Sequence, residues 1–234
     1  MQTIGLIGGI TWQSTILYYQ ILNELAAKRL GGKHSAKCII YSVQFEEVAK
    51  LQSEGRWDLL NDMMAETAKN LEAAGAEQLI ICANTMHLCI GAIREAVGLP
   101  VIHIAEVTAR EIKSKGLKKV ALLGTKYTME KEFFKDVLKN FGIAAIIPEE
   151  KDRAEIHRVI YDELSKGRIL KSSKDFYIKI IENLIDQGAE GVILGCTEIP
   201  LLIQDDDISK PTFNTTLIHA TAAFKEAIKG KTLT

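Results

Sequence analysis

Cysteine is scarce in this chain. Only Cys38, Cys82, Cys89 and Cys196 occur in 234 residues, and no two stand in a Cys-x-x-Cys pair. That excludes a disulfide framework and a zinc ribbon, and it predicts a reduced, cytoplasmic protein. Proline is equally scarce, with 4 residues, and no stretch rich in Pro, Gly or Ser separates independent domains. Neither charge sign dominates: 29 basic residues face 30 acidic ones. A nucleic-acid partner, which would need a basic face, is therefore not expected. No apolar run reaches the ~18 residues of a membrane span, so no membrane partner is expected. The opening "MQTIGLIGG" lacks a basic n-region and a cleavage site, and reads as a strand rather than a signal peptide. The pattern Gly-x-Gly-x-x-Gly is missing, which argues against a nicotinamide cofactor. No lysine sits in a pyridoxal-phosphate context and no metal-ligand cluster is visible. The expectation is no cofactor and no metal.

What is present is the composition of a globular α/β protein, 47% hydrophobic and 25% charged. Short apolar runs alternate with helical periodicity. "TIGLIGG", "AKCIIYSV", "EQLIICA", "VIHIA", "KVALLGT", "AAIIP" and "EGVILGC" read as strands. Helices are predicted at about 14–28, 57–74 and 106–115, in "EKEFFKDVLKNF", and twice more before "EGVILGC". Strands bounded by helices in this rhythm imply mainly parallel sheets with right-handed crossovers.

The chain also repeats itself. "NLEAAGAEQLIICANT" from Asn70 aligns without gaps to "NLIDQGAEGVILGCTE" from Asn183, an offset of 113 residues. "IGLIGG" echoes "VALLGT", with Gly8 opposite Gly124, and Pro100 falls opposite Pro211. The period is too long for a solenoid. It predicts two similar lobes related by internal duplication: 1–105 with 211–234, and 106–210, with the C-terminal strand and helix returning to the first lobe. Ligands of such sheets bind beyond the carboxyl ends of the strands. The active site is thus expected in an inter-lobe cleft, where Ala83-Asn84-Thr85 and Cys196-Thr197-Glu198 would confront each other. Under the 113-residue offset, Cys196 lies opposite Ala83.

Cys196 ends a strand, follows a glycine and precedes a helix start. Backbone N–H groups there are expected to lower its thiol pKa from ~8.5 toward neutrality. The competing reading is a small buried hydrophobe, but polar Thr197 and Glu198 follow at once. Cys82 points to the other face of its strand from Ala83, and is expected in the core. Cys38 and Cys89 read as packing residues. Gly8-Gly9 would let a tight turn approach a ligand.

Four motifs taken in order, "IGLIGGITWQST", "ANTMH", "LLGTKYTM" and "GCTEI", together resemble the aspartate/glutamate racemase family over nearly the whole chain. The resemblance implies cofactor-independent inversion at the α-carbon of an acidic amino acid by two facing cysteines, and a homodimer. It places one of those cysteines at Cys196. The other would immediately precede Asn-Thr, where this chain has Ala83. His87 matches an "NT-x-H" pattern, and would either orient the loop or relay a proton.

The candidate catalytic positions are therefore Cys196, Thr85 and the vacated Ala83. Gly9, Gln52, Asn84, Thr85, Thr125, Thr128, Thr197 and Glu198 are the candidate substrate-binding residues. For the distal carboxylate the resemblance directs attention to Gln52, with Arg56 beside it, and to a lysine position held here by Glu155, with Lys151 and Arg153 as substitutes. A solvated surface role is the plain alternative for each of these charges. Losing one of two acids should slow a racemase in both directions, because its equilibrium constant is one. The rival functions are a single-cysteine decarboxylase on the same scaffold and an amino-acid-binding protein without turnover.

Overall fold

The computed structural model describes residues 1–229. They form two compact units, Met1–Ile104 with the described residues from His219 onward, and Ala105–Ile218.

The first unit is built from β1 (Ile4–Gly8), α1 (Trp12–Leu30), β2 (Cys38–Ser42), α2 (Phe45–Ser53), α3 (Trp57–Ala73), β3 (Gln78–Ile81), a 3₁₀ turn (Thr85–Cys89) and α4 (Ile90–Ala96). Its parallel sheet has the order β2-β1-β3. The period of two sorts the strand residues into layers. Ile7, Leu79, Ile81 and Ala83 pack with α3, including Leu60 and Met64. Ile4, Leu6, Ile80 and Cys82 pack on the opposite side, with Tyr18 and Leu22 of α1.

The second unit contains α5 (Ile104–Ser114), β4 (Lys119–Gly124), α6 (Lys126–Glu130), α7 (Glu132–Asn140), β5 (Ala144–Ile146), α8 (Glu150–Asp162), α9 (Lys171–Asp186), β6 (Val192–Gly195), α10 (Ile199–Leu202), β7 (Thr212–Asn214) and the start of α11 (Thr215–Ala227). Its parallel sheet has the order β5-β4-β6-β7. Leu123 and Leu194 pack there against Ile156 and Ile160 of α8 and Tyr177 and Ile181 of α9. Fully burying one such side chain contributes about 1.5–3 kcal/mol.

The duplication is visible in both sheets, for Gly8 ends β1 as Gly124 ends β4, and β3 flanks β1 as β6 flanks β4. Two sequence expectations change. "VIHIA" forms no full strand: Val101 makes a single parallel bridge to Leu79, and α5 begins at Ile104. The strand at 212–214, expected to return to the first lobe, is held in the second. It pairs with β6 in the register Val192↔Thr212, and Phe213 is buried. The reason is symmetry. Val101 stays beside β3 and β7 stays beside β6, while the helix after each belongs to the other unit.

The repeated letters have structural causes. Gly75 and Gly188 follow α3 and α9 with φ of 94° and 96°, where a glycine ends a helix without steric cost. Glu77 then accepts the backbone N–H of Thr3 at 2.6 Å, just before β1. Glu190 does the same for Lys118 at 2.6 Å, just before β4.

Candidate active site

In the first unit the carboxyl ends of β1 and β3 carry the polar groups. Gly9 has φ 85°, and its N–H donates to Thr15 Oγ1 at 2.8 Å. A Cβ at Gly9 would stand 2.2 Å from the carbonyl oxygen of Val43, so the chain passes too closely for a side chain. Thr11 caps α1 by accepting the N–H of Ser14. Ala83, Asn84 and Thr85 follow β3, all nearly buried. Gln52, on α2, is also buried, and its Nε2 donates to Met86 Sδ at 3.1 Å. The unit thus gathers Ala83, Asn84, Thr85 and Gln52 around one strand end.

Cys82 is buried in the layer with Tyr18 and Ile80, whereas Ala83 belongs to the opposite layer. Burial pushes the Cys82 thiol well up and the Cys89 thiol up to about 12, leaving both as packing groups. All four cysteines are free thiols.

His87 is pinned at both ring nitrogens. One face of the ring reaches the Ala83 carbonyl, with Nδ1 at 2.9 Å, and Nε2 accepts the N–H of Ile104 at 3.2 Å. These partners require a neutral ring with the proton on Nδ1. Burial, then the neighbouring His103, holds its pKa well below 6.5. His87 therefore orients the strand end rather than relaying a proton. Its neighbour His219 accepts from the Tyr18 hydroxyl at Nδ1, 2.9 Å away, and donates from Nε2 to the Ile102 carbonyl at 2.8 Å. The sequence reading missed this histidine, because its partners are Tyr18 and Ile102, far away along the chain.

The second unit carries the thiol. Gly124 and Gly195 end neighbouring strands in register, and a Cβ on Gly124 would meet the Gly195 carbonyl at 2.8 Å. Beyond Gly195, the Cys196 thiol donates to Glu198 Oε2 at 2.8 Å, and Thr197 Oγ1 donates to the same oxygen at 2.6 Å. Thr125 and Thr128 lie beyond β4, where Thr125 caps α6 by accepting the Thr128 N–H at 3.3 Å. Cys196, Thr197, Glu198, Thr125 and Thr128 thus stand at the ends of two paired strands.

The expected lowering of the Cys196 pKa is reversed. Burial first, and then the negative charge of Glu198, push the thiol well above its ordinary value. Backbone N–H groups of Thr197 and Glu198 do act downward, but they are outweighed. The resting group is a thiol hydrogen-bonded to a carboxylate.

Tyr161 and His157, both on α8, were also missed. Their rings stack 4.6 Å apart at 51°, and Tyr161 packs against the same core as Cys196. Burial raises the Tyr161 pKa, so this phenol keeps its proton. Only the i, i+4 spacing of His157 and Tyr161 on a helix hinted at them.

The charged candidates are committed elsewhere. Arg56 is exposed and paired with Asp58 at 2.6 Å. Glu155 is paired with Arg158 at 2.7 Å. Arg153 binds Glu130 and the Pro148 carbonyl, and Lys151 lines an outer groove between α8 and α9.

A family model for Asp/Glu/Hydantoin racemase matches residues 7–223. The chain belongs to this family. A protein from Yersinia pestis, described as a candidate Asp/Glu racemase, is 46% identical, with 98% of this chain and 100% of that one covered and a TM-score of 0.92. An aspartate racemase homologue from Pyrococcus horikoshii OT3 is 36% identical over 98% of this chain and 100% of its own, with a TM-score of 0.86. The broad specificity amino-acid racemase RacX of Bacillus subtilis (strain 168) is 24% identical, covering 92% of this chain and 99% of that protein. As a member of the racemase family, the chain presents Cys196 with a carboxylate partner at one strand end and Ala83 at the repeated position. Among the described residues no group of His, Cys, Asp and Glu is arranged to hold a metal. No described helix is long and apolar enough to cross a membrane.

Proposed function

We propose that this protein is a cofactor-independent racemase of an acidic amino acid, aspartate or glutamate, with Cys196 as its proton-transferring thiol. The observation that carries the reading is the Cys196–Glu198 hydrogen bond of 2.8 Å beyond β6. A carbon acid as weak as an amino-acid α-carbon needs a strong base. A thiol whose pKa is held high becomes such a base once deprotonated. Glu198 accepts the thiol proton, Thr197 holds that carboxylate in place, and the thiolate sulfur then takes the α-proton as its electron pair passes into the substrate carboxylate. Reprotonation from the same sulfur restores the starting enantiomer. Reprotonation from the opposite face gives the other enantiomer.

The resemblance implies a second thiol for that face, at the position this chain fills with Ala83, so in this reading the proton is drawn from water or from a hydroxyl such as that of Thr85. A positioned general acid contributes ~10²–10⁴-fold, so the expected phenotype is fast α-proton exchange with slow inversion. Asn84, Thr85 and Thr197 supply donors for the α-carboxylate, and Gln52 supplies an amide for the side chain. The test is ¹H NMR in D₂O with each enantiomer of aspartate and glutamate. Washout of the α-proton that disappears in Cys196→Ala supports the reading. No exchange with any of the four substrates refutes it.

A further inference from the structure

One tyrosine near the thiol is left without a task. The two fully buried tyrosines are satisfied: Tyr18 donates to His219 Nδ1 at 2.9 Å, and Tyr177 donates to the Ile156 carbonyl at 3.1 Å. Tyr161, on α8, differs from both. It is half-buried, and among the described residues its hydroxyl has no hydrogen-bond partner. A phenol withdrawn from water ordinarily finds one. Here the second unit leaves the donor open.

The framework of that unit fixes where the hydroxyl stands. Gly124 and Gly195 pair in register at the ends of β4 and β6. Neighbouring strands lie ~4.8 Å apart, so Thr125-Lys126 beyond one glycine and Cys196-Thr197 beyond the other open on the same edge. α8 packs against α6 at that edge. His157 Nδ1 accepts the Lys126 N–H at 3.4 Å. Its ring lies between two tyrosines, 6.0 Å from Tyr127 at 88° and 4.6 Å from Tyr161 at 51°. Tyr161 follows one turn along α8 and packs against the same core as Cys196. Burial chiefly, with the Glu198 charge among the lesser causes, holds its pKa up, which puts that carboxylate within electrostatic reach of the phenol. Glu198 is itself engaged by Cys196 and Thr197.

We infer that Tyr161 is a further catalytic residue, whose hydroxyl donates to the α-carboxylate of the substrate as the α-proton leaves for Cys196. The inference rests on the racemase reading and adds a residue to it. In that step the Cα–H bond breaks, the S–H bond forms, and the electron pair passes into the carboxylate. The phenol keeps its own proton and gives only a hydrogen bond. Charge on the carboxylate oxygens grows as the proton departs, so a fixed donor binds the transition state more tightly than the ground state. A neutral donor suits this place. A lysine or arginine would pair with Glu198, the group that receives the thiol proton. His157 acts through the Tyr161 ring, and is a positioning residue.

Tyr161→Phe removes one oxygen and leaves the ring against the core. Two alkylating agents test the full chain. Iodoacetate carries a carboxylate one bond from the carbon that sulfur attacks, and iodoacetamide is its neutral counterpart. Both consume the same thiolate. The ratio of their rates at Cys196, followed by peptide mass spectrometry, therefore cancels any change in the thiol's ionisation or exposure. The expected ratio is about 10-fold lower in Tyr161→Phe than in wild type. In D₂O, kcat/KM for α-proton exchange should fall about 10–100-fold.

Circular dichroism confirms that the variant is folded. Should it not fold, His157→Leu, which frees the Tyr161 ring, serves as the probe and should lower the same ratio by less. An unchanged ratio in the folded variant overturns the inference, as does undiminished exchange. The racemase reading fails separately. A wild type without exchange refutes that reading, whereas a ratio that still falls in Tyr161→Phe upholds the hydroxyl as the carboxylate donor near Cys196.

Discussion

The Cys196 thiol donates to Glu198 Oε2 at 2.8 Å, and the Thr197 hydroxyl donates to the same oxygen at 2.6 Å. The thiol's pKa is up, because it is buried and because its acceptor is negatively charged. Exchange of the substrate α-proton should therefore rise with pH and show no plateau at the ordinary thiol value of about 8.5. Glu198→Gln removes the negative charge and the base that takes the proton, while its carbonyl can still accept a hydrogen bond. It should cut exchange by about 10²–10³-fold while moving the thiol limb of the profile to lower pH. A profile unchanged in position would assign Glu198 a packing role only.

Ala83 lies nearly buried at the repeated strand end, with its carbonyl tied to His87 at 2.9 Å. Ala83→Cys places a thiol where the proposed mechanism expects a second acid, without altering the backbone contact. Inversion should gain about 10–100-fold relative to exchange, within the range a positioned acid supplies. The added sulfur has to fit a packed layer, so a stability loss of about 1 kcal/mol is expected. The ratio of polarimetric inversion to NMR exchange reads the effect. A folded variant with an unchanged ratio would reject position 83 as the place of the second acid.

The α/β class, the duplication and the two polar strand ends were all legible in the sequence, and the reason is local. The matched letters of the repeat do local work: Gly75 and Gly188 terminate helices, and Glu77 and Glu190 hold the backbone at the start of the neighbouring strand. Such roles recur wherever the fold recurs. The positions proposed to carry chemistry, Ala83 and Cys196, are among those at which the two copies differ. The alternation rule also separated Cys82 from Ala83 into opposite layers. Other features depend on partners distant in sequence. The direction of the Cys196 pKa turned first on how far the fold desolvates the thiol and then on where the Glu198 side chain pointed, and the attachment of β7 turned on its pairing with β6. His219 was unreadable because its ring is defined by Tyr18 and Ile102.

His219 makes the fold sensitive to acid. Burial is the main cause that takes its pKa from 6.5 to about 4, with His103 adding to it and the Ile102 carbonyl opposing. The unfolded chain then binds the extra proton at a pH where the fold does not. Stability from this group is complete above about 6.5 and drains away as pH falls toward 4, by on the order of 3 kcal/mol in all. His87, also held neutral by burial, acts in the same direction. Urea midpoints between about pH 4.5 and 8 should fall steeply below 6.5. His219→Gln offers an acceptor and a donor without a titrating ring, and should flatten that slope by about one proton. An equally steep slope in the folded variant would place the acid sensitivity elsewhere.

Gly9 is the position where the backbone itself limits the site. It combines φ 85° with a Val43 carbonyl oxygen only 2.2 Å from where a Cβ would stand. Gly116 offers an internal contrast, with φ 74° and nothing within 4 Å of its Cβ position. Gly116→Ala should cost only the conformational penalty, about 1 kcal/mol. Gly9→Ala adds a collision with backbone that no rotamer relieves, so it should cost about 2 kcal/mol or more beyond that. The loop must then move away from Thr15, whose hydroxyl now receives the Gly9 N–H. Because this loop lies beside the proposed substrate-binding residues, substrate affinity should fall along with stability in Gly9→Ala and stay unchanged in Gly116→Ala. Thermal melts and the substrate concentration dependence of exchange separate the two effects. Equal losses for the two variants would show that φ alone, and not close approach, requires glycine at position 9.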